Sequence, residues 1–163
     1  MMNWTKSGIA LAAVTLLSAT AWAGEGPSGH SHDHGQTFSA GEPGNPKKPA
    51  KIIQVTMGEP DGKMLFMPAR LEVKTGDQIK FVLRNNGELE HEFVLASTAD
   101  NLKHAEEMRK HPDMAHQEPN GRQLAPKKTS EFVWKFTRAG EFEYACLIPG
   151  HREAGMTGTI VVK

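Results

Sequence analysis

Four side chains with metal-binding atoms stand out in this sequence of 163 residues. The only cysteine, Cys146, is followed by His151 and Met156 in a Cys-x4-His-x4-Met pattern, and His91 lies far upstream. A copper ion that alternates between two oxidation states needs a soft thiolate, imidazoles and a weak axial sulfur. A loop of this length between two strands can bend three ligands around one ion, and His91 is the candidate for the fourth. The pattern predicts a copper site.

Two other chemistries remain open for these residues. A structural zinc site normally has paired, closely spaced ligands, which this pattern lacks, and a thioether is a poor zinc ligand. A nucleophilic Cys146 with a histidine base would leave Met156 and the loop spacing unexplained. Each histidine alone has an ordinary explanation as a surface or core residue. The combination with the only cysteine is what favours copper.

A second group of possible ligands lies on and after a predicted helix from Ala99 to His111. These thioether and imidazole side chains are His104, Met108, His111, Met114 and His116. The first three are spaced i, i+4 and i+7 and therefore share one helical face. Such a mixture favours Cu(I). In the alternative interpretation Leu102, Ala105 and Met108 anchor the helix on the domain, and the histidines face solvent.

The N-terminal region has two parts with different compositions. Residues 1–23 contain Lys6, an apolar run from Gly8 to Leu17 and the sequence Ala21-Trp22-Ala23. This arrangement predicts a secretory signal peptide, with no membrane contact after cleavage, because a membrane span needs about 20 apolar residues. An uncleaved anchor is the alternative. In an exported chain a single cysteine has no internal disulfide partner, so Cys146 is a buried small apolar residue, an intermolecular disulfide partner or a functional thiol.

Residues 24–50 are predicted to form a disordered tail. Ten of these 27 residues are Gly or Pro, and Phe38 is the only large apolar side chain. The tail contains His30, His32 and His34, whose alternate imidazoles form a weak capture site for a metal ion. A soluble linker that happens to contain histidines is the alternative.

A single folded domain is expected from residue 51 to residue 163. Its apolar side chains alternate with polar ones, as at Ile79, Phe81 and Leu83 and again at Phe132 and Trp134. About seven or eight such short strands predict an all-β sandwich or barrel, interrupted by the helix. Thr98 or Asp100 is expected to cap the helix, and Pro112 to end it.

The charge distribution argues against nucleic acid as a partner. The chain has 19 basic and 19 acidic residues, and the basic residues are scattered along it. A nucleic-acid-binding domain would instead show a basic stripe or patch.

With these motifs, residues 51–163 resemble the cupredoxins, the plastocyanin and azurin superfamily of copper proteins. The resemblance implies a Greek-key β-sandwich and type 1 copper, with ligands corresponding to His91, Cys146, His151 and Met156. The loop spacing resembles that of auracyanin and rusticyanin, and the extra His and Met residues resemble those of periplasmic copper-tolerance cupredoxins. One position departs from the family. Many cupredoxins have Asn or Ser after the first histidine to tie the ligand loops together, whereas this chain has Glu92.

Two functions follow from the resemblance. A periplasmic copper-tolerance factor would bind additional Cu(I) or Cu(II) and would oxidise Cu(I), which would give it cuprous oxidase activity. A simple electron shuttle would pass electrons between redox partner proteins that the sequence does not identify. Possible copper ligands other than the four type 1 residues favour the copper-tolerance function, because an electron shuttle needs only one buried ion and a docking surface.

Overall fold

The computed structural model describes residues 37–110 and 118–163. In these ranges the chain forms ten strands and one α-helix, with a short 3-10 turn at Pro60–Gly62. The strands are β1 (Glu42–Pro43), β2 (Lys51–Gly58), β3 (Leu65–Met67), β4 (Arg70–Val73), β5 (Gln78–Asn85), β6 (His91–Ala96), β7 (Gly121–Leu124), β8 (Thr129–Lys135), β9 (Gly140–Ala145) and β10 (Thr157–Val162). The helix is α1 (Thr98–Lys110).

The strands form two five-stranded sheets. The first has the order β1-β8-β5-β2-β3, and the second has the order β4-β10-β9-β6-β7. The predicted all-β sandwich with a helical insertion is therefore confirmed. The sheets are not purely antiparallel, because β2 pairs in parallel with β5 and β4 pairs in parallel with β10. The described residues also contain more strands than expected, since β1 has only two residues and β7 has no alternating apolar side chains.

An aromatic core joins the two sheets. Alternation along β5 turns Phe81 inward, where its ring stacks on Phe132 of β8 at a centroid distance of 5.2 Å. Phe81 also meets Phe93 of the second sheet at 5.4 Å, and Phe93 stacks on Tyr144 of β9 at 5.2 Å. Such pairs contribute about 0.5–1.5 kcal/mol each beyond their buried area. This core holds β6 and β9 in fixed positions below the predicted metal ligands.

Helix α1 begins one residue earlier than predicted and has a different cap. The Ser97 hydroxyl accepts a hydrogen bond from Asp100 N (3.1 Å) and donates one to the Asp100 carboxylate (2.7 Å). The first of these bonds satisfies a backbone N–H group at the helix start, so Ser97, and neither Thr98 nor Asp100, is the capping residue. Asn101 and Met108 are the buried residues of the helix. The helix contacts β6 and β9 and thus covers the outer face of the second sheet.

The prediction of a disordered tail over residues 24–50 is wrong for residues 37–50, which pack against the first sheet. Strand β1 pairs with β8, and Ala40 is fully buried. The indole N–H of Trp134 donates a hydrogen bond to Ala40 O (3.1 Å), and the Phe38 ring packs edge-on against the indole at 5.3 Å. A buried indole needs an acceptor, and this segment supplies it.

Several predicted features fall outside the described residues. They are the signal peptide of residues 1–23, the histidines of the tail (His30, His32 and His34) and the segment after α1 with His111, Pro112, Met114 and His116. Within the described ranges, no helix is long and apolar enough to cross a membrane.

The packing of residues 37–50 predicts a sharp difference between two truncations. A protein that starts at Lys51 leaves the Trp134 indole without its acceptor and uncovers the core, and it should lose about 2–4 kcal/mol of unfolding free energy. A protein that starts at Thr37 is the matched control and retains these contacts. Denaturant unfolding of both metal-free proteins measures the difference. Equal midpoints would contradict the structural role of residues 37–50.

Candidate metal centre

His91, the first residue of β6, is completely buried. Its Nε2 contacts Oε1 of Glu59, a residue that directly follows β2. A carboxylate only accepts hydrogen bonds, so the neutral imidazole carries its proton on Nε2 and its lone pair on Nδ1. The Nδ1 atom is buried and has no hydrogen-bond partner among the described residues. An inward-facing, unpaired nitrogen of this kind is suited to a metal ion.

The Glu59 carboxylate is itself held by the loop that precedes His91. Oε2 accepts a hydrogen bond from Glu88 N (2.9 Å), and Oε1 accepts a second from Leu89 N (3.2 Å). Burial disfavours the charged carboxylate, but the hydrogen bonds from Glu88, His91 and Leu89 outweigh it and lower the pKa of Glu59. The carboxylate is therefore ionised at neutral pH and ties the end of β2 to the start of β6.

Cys146 directly follows β9 and is fully buried. Its Sγ accepts a hydrogen bond from Glu92 N (3.2 Å) and lies 3.3 Å from Nδ1 of His151. Burial raises the pKa of this thiol to about 12, although backbone N–H groups of Glu92 and Ile148 act in the opposite direction. A reactive nucleophile needs a lowered thiol pKa, so the structure does not favour the catalytic-cysteine alternative. A metal ion would instead take up the thiolate.

The two histidines and the cysteine converge on one point. Ligand atoms of His91, Cys146 and His151 all lie within 4.8 Å of one another, and the two imidazole rings are 5.3 Å apart. Partial burial and, to a smaller extent, the nearby His91 lower the pKa of His151. The imidazole therefore stays neutral and able to coordinate. One thiolate and two imidazoles form the donor set of a copper site, and these residues therefore fit a copper ion.

The loop between β9 and β10 closes on itself and places Met156 beside the cluster. Cys146 N donates to Met156 O (3.1 Å), and Met156 N donates to His151 O (3.0 Å). The Met156 side chain is fully buried in the same core cluster as Cys146. Gly150 and Gly155 have φ values of 91° and 98°, which a residue with a side chain rarely adopts. The spacing of Cys146, His151 and Met156 thus follows from one tight loop.

An ion pair fastens this loop to the sheet below it. Arg152 donates to both carboxylate oxygens of Glu143, with Nε–Oε1 at 3.2 Å and Nη2–Oε2 at 2.9 Å. Asn101 of α1 donates to the same carboxylate through Nδ2 (3.1 Å). A bidentate, partly buried pair fixes orientation better than a single contact. The helix and the ligand loop are therefore connected through Glu143.

Glu92 connects the strand of His91 to the loop that contains Cys146. Its backbone N–H reaches Cys146 Sγ, and its side chain accepts a hydrogen bond from Leu147 N. The residue is 2% exposed, and Oε2 has no hydrogen-bond partner among the described residues. Burial, with smaller contributions from Glu118 and Glu90, raises the pKa of Glu92 to about 7. Glu92 thus joins the loops at the cost of a buried carboxyl group.

Only part of the second predicted cluster can be located. His104 is half-buried and lines a cavity of about 360 Å³ under α1, and Met108 is buried. Leu102 was expected to anchor the helix in the alternative interpretation, but it is 51% exposed, and Asn101 occupies the buried face instead. His111, Met114 and His116 lie outside the described residues, as do the tail histidines.

Sequence reasoning missed Glu59. The residue is 32 positions before His91 in the chain, and only the pairing of distant strands brings the two side chains together. No local spacing distinguishes Glu59 from the other acidic residues.

The buried Glu92 carboxyl predicts a pH-dependent stability. The folded-state pKa of Glu92 lies above its ordinary value of 4.5. The destabilisation by the buried charge is therefore absent below the pH that equals this ordinary pKa and complete above about pH 7. Glu92→Gln keeps an acceptor for Leu147 N and removes the charge. The metal-free variant should match the wild type near about pH 5 and should be more stable by about 1–3 kcal/mol near about pH 8.

Unfolding by denaturant across this range measures the effect. Glu141→Gln, at an exposed position of β9 that does not contribute to the pKa of Glu92, controls for the loss of one negative charge. A stability difference that does not change with pH would contradict the buried-carboxyl assignment.

Comparisons with known proteins agree with this donor set. Residues 53–163 match the family model described as copper binding proteins of the plastocyanin/azurin family. The chain is 42% identical over 163 residues to the copper-resistant cuproprotein CopI of Rubrivivax gelatinosus, covering 94% of each protein. It is 34% identical over 159 residues to CopI of Pseudomonas aeruginosa, covering 80% of this chain and 84% of that protein.

A solved structure supports the fold. Auracyanin from Roseiflexus castenholzii aligns with a TM-score of 0.59 and 18% identity, covering 71% of this chain and 99% of that chain. Together, the matched family and the His–Cys–His cluster identify type 1 copper as the cofactor of this centre. The chain belongs to the plastocyanin/azurin family of copper-binding proteins.

Proposed function

We propose that this protein serves copper tolerance in the periplasm and that it oxidises cuprous ions at a type 1 copper centre. The observation that carries the proposal is the convergence of ligand atoms from His91, Cys146 and His151 within 4.8 Å. The similarity to copper-resistant cuproproteins along almost the whole chain supports the tolerance role. The predicted signal peptide of residues 1–23 supports export.

The proposed ligands are His91, Cys146, His151 and Met156, and the Met156 thioether would be the weakest donor of the four. Bound copper supplies the ability to accept and release one electron. The protein residues keep the ligand geometry constant between the two states. Glu59 orients the His91 ring, and the Glu92 N–H group stabilises the thiolate charge of Cys146. A rigid donor set lowers the rearrangement that electron transfer requires.

The surface near His151 would allow electrons to enter or leave. His151 is only half-buried, whereas His91 is fully buried, and the neighbouring Pro149 and Gly150 are exposed. An imidazole at the surface is also what a redox partner protein would approach. This observation favours the second candidate function, a soluble electron shuttle.

Ligands outside the type 1 centre favour tolerance over simple shuttling. His104 and Met108 are separated by one helical turn and lie on the face of α1 that includes the buried Asn101. Thioether and imidazole donors on one face suit Cu(I). We propose that these two residues, with His111, Met114 and His116, form a second copper-binding group. His30, His32 and His34 are proposed as a weaker capture site.

A Cu(I) titration separates the two functions. The Cys146→Ser protein, with His30, His32 and His34 replaced by Ala, should still bind Cu(I), because the helix donors do not depend on the thiolate. Adding His104→Ala, Met108→Leu and His111→Ala should remove about one equivalent of Cu(I). The same triple replacement in a protein that retains Cys146 should leave the visible type 1 spectrum unchanged and should weaken copper tolerance in cells.

The tail histidines are substituted and not deleted, because a deletion that ended near Pro49 would also remove residues that belong to the folded domain. Unchanged Cu(I) stoichiometry after the triple replacement would make the helix residues structural. The electron-shuttle function would then be favoured.

A further inference from the structure

A cavity of about 280 Å³ lies next to Glu59 at the edge of the first sheet. Two methionines, Met57 of β2 and Met67 of β3, line it together with Glu59 and Glu88. In the structure the Met67 side chain is 45% exposed, whereas Met57 is fully buried. The cavity therefore has one thioether accessible from solvent and one in its wall.

The Glu59 carboxylate retains a free acceptor position in this cavity. Oε1 already contacts His91 Nε2 and Leu89 N, but Oε2 accepts only from Glu88 N. A carboxylate oxygen can accept two hydrogen bonds or bind a cation with its second lone pair. Glu88 is less available, because the Lys127 ammonium contacts its Oε1 at 2.5 Å. The accessible donors are thus the Met67 thioether and one oxygen of Glu59.

The backbone beside Glu59 is shaped to admit this carboxylate. A Cβ atom on Gly87 would lie 2.4 Å from each carboxylate oxygen of Glu59. Only glycine at this position allows the carboxylate to lie between the cavity and His91. The Glu59 carboxylate thus lies against both the cavity and His91, a proposed type 1 ligand.

Thioethers select Cu(I), and a carboxylate oxygen suits the harder cupric ion. A site with both donors can bind a cuprous ion and still offers an oxygen ligand to the cupric ion that forms on oxidation. Because Glu59 also binds His91, an ion on Oε2 would be separated from the His91 ring by one carboxylate and one hydrogen bond.

We propose that this Met57–Met67–Glu59 cavity binds the cuprous substrate and that Glu59 links it electronically to the type 1 centre. One cuprous ion in the cavity loses one electron and becomes cupric. The cupric type 1 ion gains that electron and becomes cuprous. No bond to carbon changes and no proton is transferred. This inference rests on the proposed cuprous oxidation and names its substrate site.

The test compares Met67→Leu with Met64→Leu in the full-length chain. Met64 belongs to the same chain segment, packs partly against the core and is not among the residues that line the cavity. Both changes conserve volume and should be tolerated. In the Cys146→Ser background, anaerobic competition with a chromogenic Cu(I) chelator should show at least about tenfold weaker binding at one site for Met67→Leu. Met64→Leu should bind like the parent.

The second measurement uses proteins that retain Cys146 and carry oxidised copper. Stopped-flow mixing with Cu(I) should bleach the visible band at least about tenfold more slowly in Met67→Leu than in Met64→Leu. Reduction by ascorbate, which needs no metal site, should proceed equally in both. The visible spectra before mixing should be the same, which shows that the type 1 centre is intact.

Equal Cu(I) affinity and equal bleaching rates in the two variants would overturn the cavity assignment while leaving cuprous oxidation in place. Failure of the wild type to bleach with Cu(I) would overturn the proposed oxidation and the electron-transfer part of this inference. In that event the chelator competition alone decides whether the cavity is a Cu(I) site.

Discussion

The contact between Glu59 and His91 joins the two sheets at the point where the metal centre is built. Glu59 follows a strand of the first sheet, and His91 begins a strand of the second. The contact sets the imidazole tautomer and directs Nδ1 toward Cys146 and His151. Without it, both ring nitrogens of His91 would be buried without a hydrogen-bond partner among the described residues. The type 1 centre and the adjacent methionine cavity both depend on this one carboxylate.

The centre carries costs in the metal-free protein that copper would relieve. His91 Nδ1 is buried without a partner among the described residues, and burial keeps the Cys146 thiol protonated, with a pKa of about 12. Copper binding replaces the proton on sulfur and supplies a partner for the nitrogen. Because copper binds the folded chain, it also stabilises the fold by mass action. Folding and metal affinity are therefore coupled at this site.

The amount that could be predicted depended on how far apart the interacting residues lie in the chain. Cys146, His151 and Met156 share one loop, so their spacing was readable, and alternating apolar residues in β5 and β8 indicated a sandwich. Glu59 could not be recognised, because its contact with His91 exists only after distant strands pair. The packing of residues 37–50 was missed for a related reason. Their few apolar side chains gave no signal, yet a backbone carbonyl of Ala40 satisfies the Trp134 indole.

The most direct test of the account is X-ray absorption spectroscopy at the copper edge on the oxidised, copper-loaded protein. The converging atoms of His91, Cys146 and His151 predict one short copper–sulfur bond and two copper–nitrogen bonds from imidazole. In Cys146→Ser protein the short sulfur contribution should disappear. A wild-type spectrum with only nitrogen and oxygen donors, or a short sulfur bond that survives Cys146→Ser, would contradict the account.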